Sequence, residues 1–266
     1  MTVLVTGATG NTGRHVVAEL VRRGERVRAL SRDPARARLP AGVEVVRGTH
    51  TAPGTLTEAL DGVTRLHMTV TAGLAEVGAE LVERAVAAGV RRMTVVWGGW
   101  VGPAEQAVAE SGVEWTRLEP QEFMSNTLTW VDSIRAEGVV REPYDLPGAV
   151  VHEADIAAVA VTALLEDGHA GRAYNLTGPE SLTPRERVAI LAEVLGRDIA
   201  FAGITHRQAV DRLVATGVSR EDAEFVIGWH ASPPVEAATV VDTVAAVTGR
   251  RPRTFADWAA EHADRF

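Results

Sequence analysis

The stretch V-T-G-A-T-G-N-T-G, Val5 to Gly13, most narrows what this chain can become. The apolar strand Thr2–Val5 feeds three glycines, Gly7, Gly10 and Gly13, and a helical pattern opens directly behind them with Val16, Val17, Leu20 and Val21 on one face. A strand, a glycine turn and a helix start in that order form a phosphate cradle. Gly7 allows the tight turn, Gly10 lets backbone approach a pyrophosphate, and Gly13 lets the helix pack against the sheet. The helix N-terminus then presents N–H groups and the positive end of its dipole to the anion. Thr6, Asn11 and Thr12 are placed to add side-chain hydrogen bonds.

Behind this turn, apolar runs alternate with helical patterns. Strands are expected at 26–30, 43–46, 65–71, 92–97 and 113–118, separated by helices at 55–60, 74–88 and 104–111. Strands alternating with helices predict an α/β fold: a Rossmann-type, doubly wound parallel sheet with right-handed crossovers. After Pro120 the rhythm loosens into helical 122–135, extended 139–151, helix 155–165, strand 173–177, helix 183–195, two helices around Gly217 and a final helix from Pro252. The organisation read from this is a dinucleotide-binding core over 1–120 and a smaller, mostly helical substrate lobe over 121–266. Elements at about 150–178 are expected to return to the core.

Composition removes several classes of function. A net charge of −8 argues against a nucleic-acid partner. No apolar run reaches membrane-spanning length and the first residues do not read as a signal peptide, so the default expectation is a cytoplasmic protein. There is no cysteine, and the eight histidines are scattered without metal-ligand spacing, so no metal site is expected. All 27 basic residues are arginine, which rules out any mechanism that needs a lysine.

The second strand selects the nucleotide. An NAD site places an acidic residue at its end, accepting from the ribose hydroxyls. Here the strand closes V-R-A-L-S-R-D-P, with Ser31 in the acidic place, Arg32 behind it and Arg28 on the same face of the strand by period-two alternation. Guanidinium groups there would pair with a 2′-phosphate, so the expected cofactor is NADP(H). The alternative is that both arginines are surface charges and Asp33 serves NAD.

The G-x-x-G-x-x-G spacing resembles that of extended and atypical short-chain dehydrogenase/reductase proteins. Their usual Tyr-x-x-x-Lys pair is absent, because the chain has no lysine and only Tyr144 and Tyr174 as tyrosines. The NmrA-like, quinone-reductase-like branch lacks the pair too. S-G-V-E-W-T-R-L-E-P-Q-E-F-M-S-N, V-H-E-A-D-I-A-A-V-A-V-T-A-L-L and the stretches after them resemble that branch over nearly the whole chain. The resemblance implies a monomer or homodimer, Pro120 and Phe123 beside the nicotinamide, and residues at the end of the fourth strand, Thr69 among them, flanking its ribose. Thr49 and His50 stand where the branch commonly has an aspartate near the adenine. Glu119 replaces an arginine, and Trp97 to Trp100 replace serines.

The function expected is hydride transfer from NADP(H) to a small conjugated or aromatic carbonyl or quinone-type substrate, which accepts hydride with little acid help. A redox sensor without turnover, or a non-redox biosynthetic step on the same fold, are the alternatives. Glu119 and His67 are the candidate catalytic acids, and Trp97, Trp100 and Gln121 the candidate substrate pocket. Against these stand an ion pair of Glu119 with Arg117 or Arg141, a satisfied buried histidine, and tryptophans that serve as core.

Overall fold

Val3, Leu4 and Val5 have no exposed surface. A strand buried on both faces suits the middle of a parallel sheet covered by helices on each side. In the computed structural model, which describes residues 1–74 and 76–266, the chain forms two compact units by its internal packing. The first comprises Met1–Pro120, Glu153–Leu176 and Thr243–Arg250; the second comprises Gln121–His152, Thr177–Asp242 and Arg251–Phe266. The third segment of the first unit corrects the sequence reading, which assigned everything beyond about residue 178 to the C-terminal lobe.

The first unit holds strands β1 (Thr2–Val5), β2 (Arg26–Ser31), β3 (Glu44–Arg47), β4 (Val63–Thr69), β5 (Arg92–Val96), β6 (Glu114–Pro120) and β8 (Arg172–Leu176). They pair in parallel in the order β3-β2-β1-β4-β5-β6-β8. This is the doubly wound arrangement, with the reversal of strand order between β1 and β4, where such sheets bind ligands. Its helices are α1 (Gly13–Arg22), α2 (Thr57–Leu60), α3 (Gly78–Ala87), α4 (Pro103–Glu110), α6 (Glu153–Leu165) and α11 (Thr243–Thr248).

One face of the sheet packs Leu4, Leu66, Met68, Met93 and Val95 against Leu81, Val82, Ala85, Ala104 and Val108 of α3 and α4. Each such side chain, fully buried, contributes roughly 1.5–3 kcal/mol. The helix expected from Leu74 begins at Gly78, and Ala75 lies outside the described residues. A Cβ on Gly78 would lie 2.4 Å from the Ala104 Cβ, so α3 and α4 touch where neither has bulk. On the other side of the sheet α6 is apolar all round, with Ile156 through Leu164 buried, as a helix covered on every face must be.

The second unit holds α5 (Val131–Glu137), β7 (Val139–Glu142), α7 (Pro184–Leu195), β9 (Ala200–Gly203), α8 (His206–Ala215), α9 (Arg220–Ala231), α10 (Val235–Ala238) and α12 (Phe255–Glu261). Parallel β7 and β9 form a two-stranded sheet. Trp130, Ile134, Leu191, Phe255 and Trp258 make its core. Gly138 (φ 64°) ends α5 in the left-handed conformation and turns the chain into β7. Among the described residues no helix is long and apolar enough to cross a membrane.

Candidate functional site: a glycine cradle and a separate cavity

The opening turn is built as a cradle. Gly7 adopts φ 60°, a region costly for any residue with a Cβ. Gly10 N–H donates to the Gly7 carbonyl at 2.9 Å and closes the turn. A Cβ on Gly13 would stand 2.1 Å from that same carbonyl oxygen, so only glycine lets α1 start there. Buried Thr12 precedes α1, yet its hydroxyl does not cap the helix and the first turn carries no acid. Two buried hydroxyls, Thr6 Oγ1 on this turn and Thr69 Oγ1 at the end of β4, have no hydrogen-bond partner among the described residues. An uncapped helix N-terminus and orphaned hydroxyls fit an anionic, hydroxyl-rich ligand. Asn11 is exposed on the same turn.

Beside the turn opens a cleft of about 490 Å³, lined by Gly7, Gly10, Ser31, Arg32, Thr49 and His50 among others. Ser31 Oγ accepts the Asp33 N–H at 3.2 Å, which folds the chain back at the end of β2. Arg32 is exposed, and its guanidinium makes no hydrogen bond or ion pair among the described residues. Arg47 Nη1 donates to the Arg32 carbonyl at 3.2 Å, which puts a second guanidinium beside the first. Thr49 Oγ1 lies 2.9 Å from Thr51 Oγ1. Burial, helped by the Arg32 cation, lowers the pKa of His50, so a neutral imidazole faces the cleft.

Arg28 corrects the sequence reading. Its Nη1 donates to the carbonyls of Glu58 (3.3 Å), Ala59 (3.0 Å) and Asp61 (2.7 Å), and its Nε lies 2.9 Å from a Glu44 carboxylate oxygen. It closes the C-terminal end of α2 and is spent there, because its position near the start of β2 aims it at that helix end and not at the cleft. Asp33, the alternative NAD ligand, lies 3.5 Å from Arg36.

Both candidate acids are otherwise engaged. His67 is entirely buried, its Nδ1 lies 2.8 Å from Thr94 Oγ1, and burial lowers its pKa to about 4. The ring is neutral and buried in the sheet, and its Nε2 has no hydrogen-bond partner among the described residues. Arg117 Nε donates to Glu119 Oε1 at 2.6 Å, each side chain about four-fifths buried. Their i, i+2 spacing puts both on one face of β6, the ion pair that was the alternative reading of Glu119.

The tryptophans at the end of β5 separate. Trp97 is half-buried, with a buried Nε1 that has no acceptor among the described residues. Trp100 is 63% exposed, so it does not wall an enclosed aromatic pocket. The organiser of this loop is Glu105, which the sequence reading missed: its carboxylate accepts the N–H groups of Gly98 (3.2 Å) and Gly102 (3.1 Å) while 97% buried. The G-P-A-E run at the head of α4 is a capping signature that would have found it. Pro120 is buried and ends β6 opposite Leu176. In the second unit, Gln121 is half-buried and Phe123 bridges Val151.

The second unit has its own cavity of about 110 Å³. Arg187 and Glu122, both nearly buried, pair at 3.0 Å, and the guanidinium lies 5.3 Å from the Trp130 ring centre. Trp130 Nε1 donates to Glu142 at 2.5 Å, and burial pushes the Glu142 carboxyl above the usual range. Tyr144 and Trp229 also line it. None of these was singled out as a site residue from sequence, because they come from five separate segments and share no motif.

A parallel sheet with its strand reversal at a glycine cradle, and a cleft carrying an unpartnered arginine, define a dinucleotide-binding α/β protein. The chain belongs to the NmrA-like family. The family profile matches residues 1–110. The (4-alkanoyl-5-oxo-2,5-dihydrofuran-3-yl)methyl phosphate reductase of Streptomyces griseus is 40% identical over 99% of both chains. The NAD(P)H azoreductase of Xenophilus azovorans is 37% identical over 99% of both. Among solved structures, the NADPH-dependent quinone oxidoreductase of Escherichia coli in complex with NADPH superimposes with a TM-score of 0.80 at 24% identity, over 97% of this chain and 99% of that one.

Proposed function

We propose that this chain is an NADP(H)-dependent reductase that passes hydride to a small conjugated or aromatic acceptor of the carbonyl or quinone type. Its two relatives at 40% and 37% identity are both reductases, one acting on an unsaturated lactone phosphate and one named for azo compounds and NAD(P)H. The observation that carries the cofactor reading is Arg32, unpaired at the rim of the cleft, with Arg47 beside it and a serine where an NAD site keeps a carboxylate. A 2′-phosphate accepts charge-assisted hydrogen bonds from such guanidiniums. The N–H groups at the head of α1 and the Gly7–Gly13 turn hold the pyrophosphate, and Thr6 and Thr69 offer hydroxyls to its polar groups.

When bound, the reduced nicotinamide supplies a hydride. The chain has no Tyr-x-x-x-Lys pair, Glu119 is paired with Arg117, and His67 is a fully buried, neutral ring bonded through Nδ1 to Thr94. The acceptor is therefore one whose reduced form delocalises its own charge, as a quinone or an extended enone does.

The test is NADPH consumption by the purified chain with a panel of quinones, enones and azo dyes. Steady oxidation that depends on the acceptor is expected. Tight NADPH binding with no turnover across the panel would overturn the reductase reading in favour of a sensor.

A further inference from the structure

The charges around the cavity of the second unit do not balance. Glu122 and Glu142 both line it, and Arg187 is the only arginine among its walls. That guanidinium is taken up by Glu122 at 3.0 Å and lies beside the Trp130 ring. Glu142 is left with an uncharged donor, the Trp130 indole N–H at 2.5 Å. Burial pushes the Glu142 carboxyl above the usual range and nearby Glu122 adds to this, against the pull of Trp130, His230 and Arg187. A desolvated carboxylate without a cation of its own is costly. Two more buried polar atoms on wall residues, Thr127 Oγ1 and Arg187 Nε, have no partner among the described residues. Unmatched groups of this kind point to a polar ligand.

We propose that this cavity is a binding site for a small organic cation carrying one flat ring, such as a protonated aromatic amine, with Glu142 as its counter-charge and Trp229 as its aromatic wall. An anion would meet two carboxylates and a guanidinium that is already paired. A neutral ring would leave Glu142 unmatched. A cation closes the balance and gains a further attraction from the Trp229 ring. Pro143 and Pro184 add apolar surface for the rest of the ligand. At about 110 Å³ the cavity approaches the size that takes one benzene ring, on the order of 150 Å³, and not a fused ring system. Exposed Asn126 and Leu146 lie at its rim, where a substituent on the ring reaches water. Every residue of the site belongs to the second unit, and the inference does not rest on the reductase reading.

Binding of a cation is linked to a proton on Glu142. The carboxyl must be ionised to pair with the ligand, and burial favours its protonated form without one. Affinity for the cation therefore rises with pH through the raised pKa of Glu142, and below it binding releases a proton. A proton on His230, the other titratable wall residue on this side, repels the cation and acts in the same direction. The Glu122–Arg187 pair keeps its own balance.

Three single-ring probes of matched size test this: benzylamine, which is protonated between about pH 5 and about pH 8, benzyl alcohol, and benzoate. Each is titrated calorimetrically into the full chain without nucleotide. Benzylamine is expected to bind at least about tenfold more tightly than benzyl alcohol near neutral pH, with benzoate weakest. Its affinity should fall as the solution is acidified, while that of benzyl alcohol stays level. Glu142→Gln still offers Trp130 an acceptor, and should bring benzylamine down to the affinity of benzyl alcohol and remove the pH dependence. His230→Gln should leave that dependence in place. Trp229→Ala should weaken benzylamine and benzyl alcohol alike. Equal affinities of the unaltered chain for benzylamine and benzyl alcohol, no heat from benzylamine, or a preference that survives Glu142→Gln would overturn the proposal. Should Glu142→Gln not fold, the unaltered chain still decides it, through the charge preference and its loss in acid. No turnover enters these measurements, so this proposal and the reductase reading fail separately.

Discussion

The cradle of the first unit and the cavity of the second are both polar sites framed by apolar packing, yet they are built in opposite ways. The cradle is local: Thr6 to Gly13 folds on itself, Gly7 is required by its φ of 60°, and Gly10 and Gly13 by the Gly7 carbonyl. The cavity is assembled from Glu122, Glu142, Tyr144, Arg187 and Trp229, which have nothing in common in sequence. A site made by one turn is fixed by backbone conformation and tolerates almost no change at its glycines. A site made by distant side chains is fixed by the packing of several elements and should lose function one hydrogen bond at a time.

The sharpest way to break this contrast is at Gly13. Gly13→Val should cost about 3 kcal/mol or more, because the added carbons meet the Gly7 carbonyl and the helix start must move. Chemical denaturation measures the loss, and nucleotide binding should vanish with it. No substitution of one cavity residue to a similar-sized one, such as Tyr144→Phe, should approach that loss.

Next is a pH effect at His67, a polar group of the first unit that resembles a site but serves the fold. Its native pKa is about 4 against an unfolded value near 6.5. The unfolded chain therefore takes up a proton that the native site refuses. This part of the stability is complete above about pH 6.5 and falls as the pH drops toward 4, by about 3 kcal/mol. In His67→Asn that part of the acid slope should disappear in stability measured across this range. A slope unchanged by the substitution would remove His67 as its source.

The arginines of β2 and its end come third. Arg32→Ala should weaken NADPH binding about 10- to 100-fold and leave NADH binding nearly unchanged. Arg28→Ala should leave the preference between the two nucleotides intact and cost about 1–2 kcal/mol of stability by uncovering the last carbonyls of α2. Binding and melting of the two variants side by side separate the roles. The smallest effect belongs to Glu105→Gln. It keeps an acceptor for one of the Gly98 and Gly102 N–H groups, turns an amide NH2 toward the other and gives up the charge, and should cost about 1 kcal/mol with little effect on nucleotide affinity.

The sequence carried the fold far because the pattern of apolar strands and amphipathic helices is itself local. The order of the elements through β6 was legible, and the errors lie at their ends. β4 was expected to run to Thr71, but it closes at Thr69, and Thr71 instead bonds His50 at the cleft. β9, Ala200–Gly203, is short, and its residues show no alternation of apolar and polar side chains to mark a strand. The segment Thr243–Arg250 belongs to the first unit through packing that no spacing announces.

The site divides along the same line. The turn made by Gly7, Gly10 and Gly13 was legible from their spacing, and the place of Arg32 at the cleft from its position at the end of β2. Arg28 misled because strand alternation gives a side chain's face but not which helix end it will meet. Glu119 and His67 stood out because a sequence shows a titratable group without showing its surroundings: Glu119 pairs with Arg117, and His67 is fully buried with its Nδ1 on Thr94. Tyr144 shows the converse: its hydroxyl meets His206 Nδ1, and His206 Nε2 meets Glu224, residues far along the chain that only folding brings together.

The central claim is that the cradle and Arg32 together select a nicotinamide dinucleotide bearing a 2′-phosphate. Calorimetric titration of the unaltered chain with NADPH and with NADH, at the same ionic strength, tests it most directly. The account predicts NADPH binding at least about tenfold tighter than NADH, as one charge-assisted contact would give. Equal affinities, or no heat from either nucleotide, would contradict it.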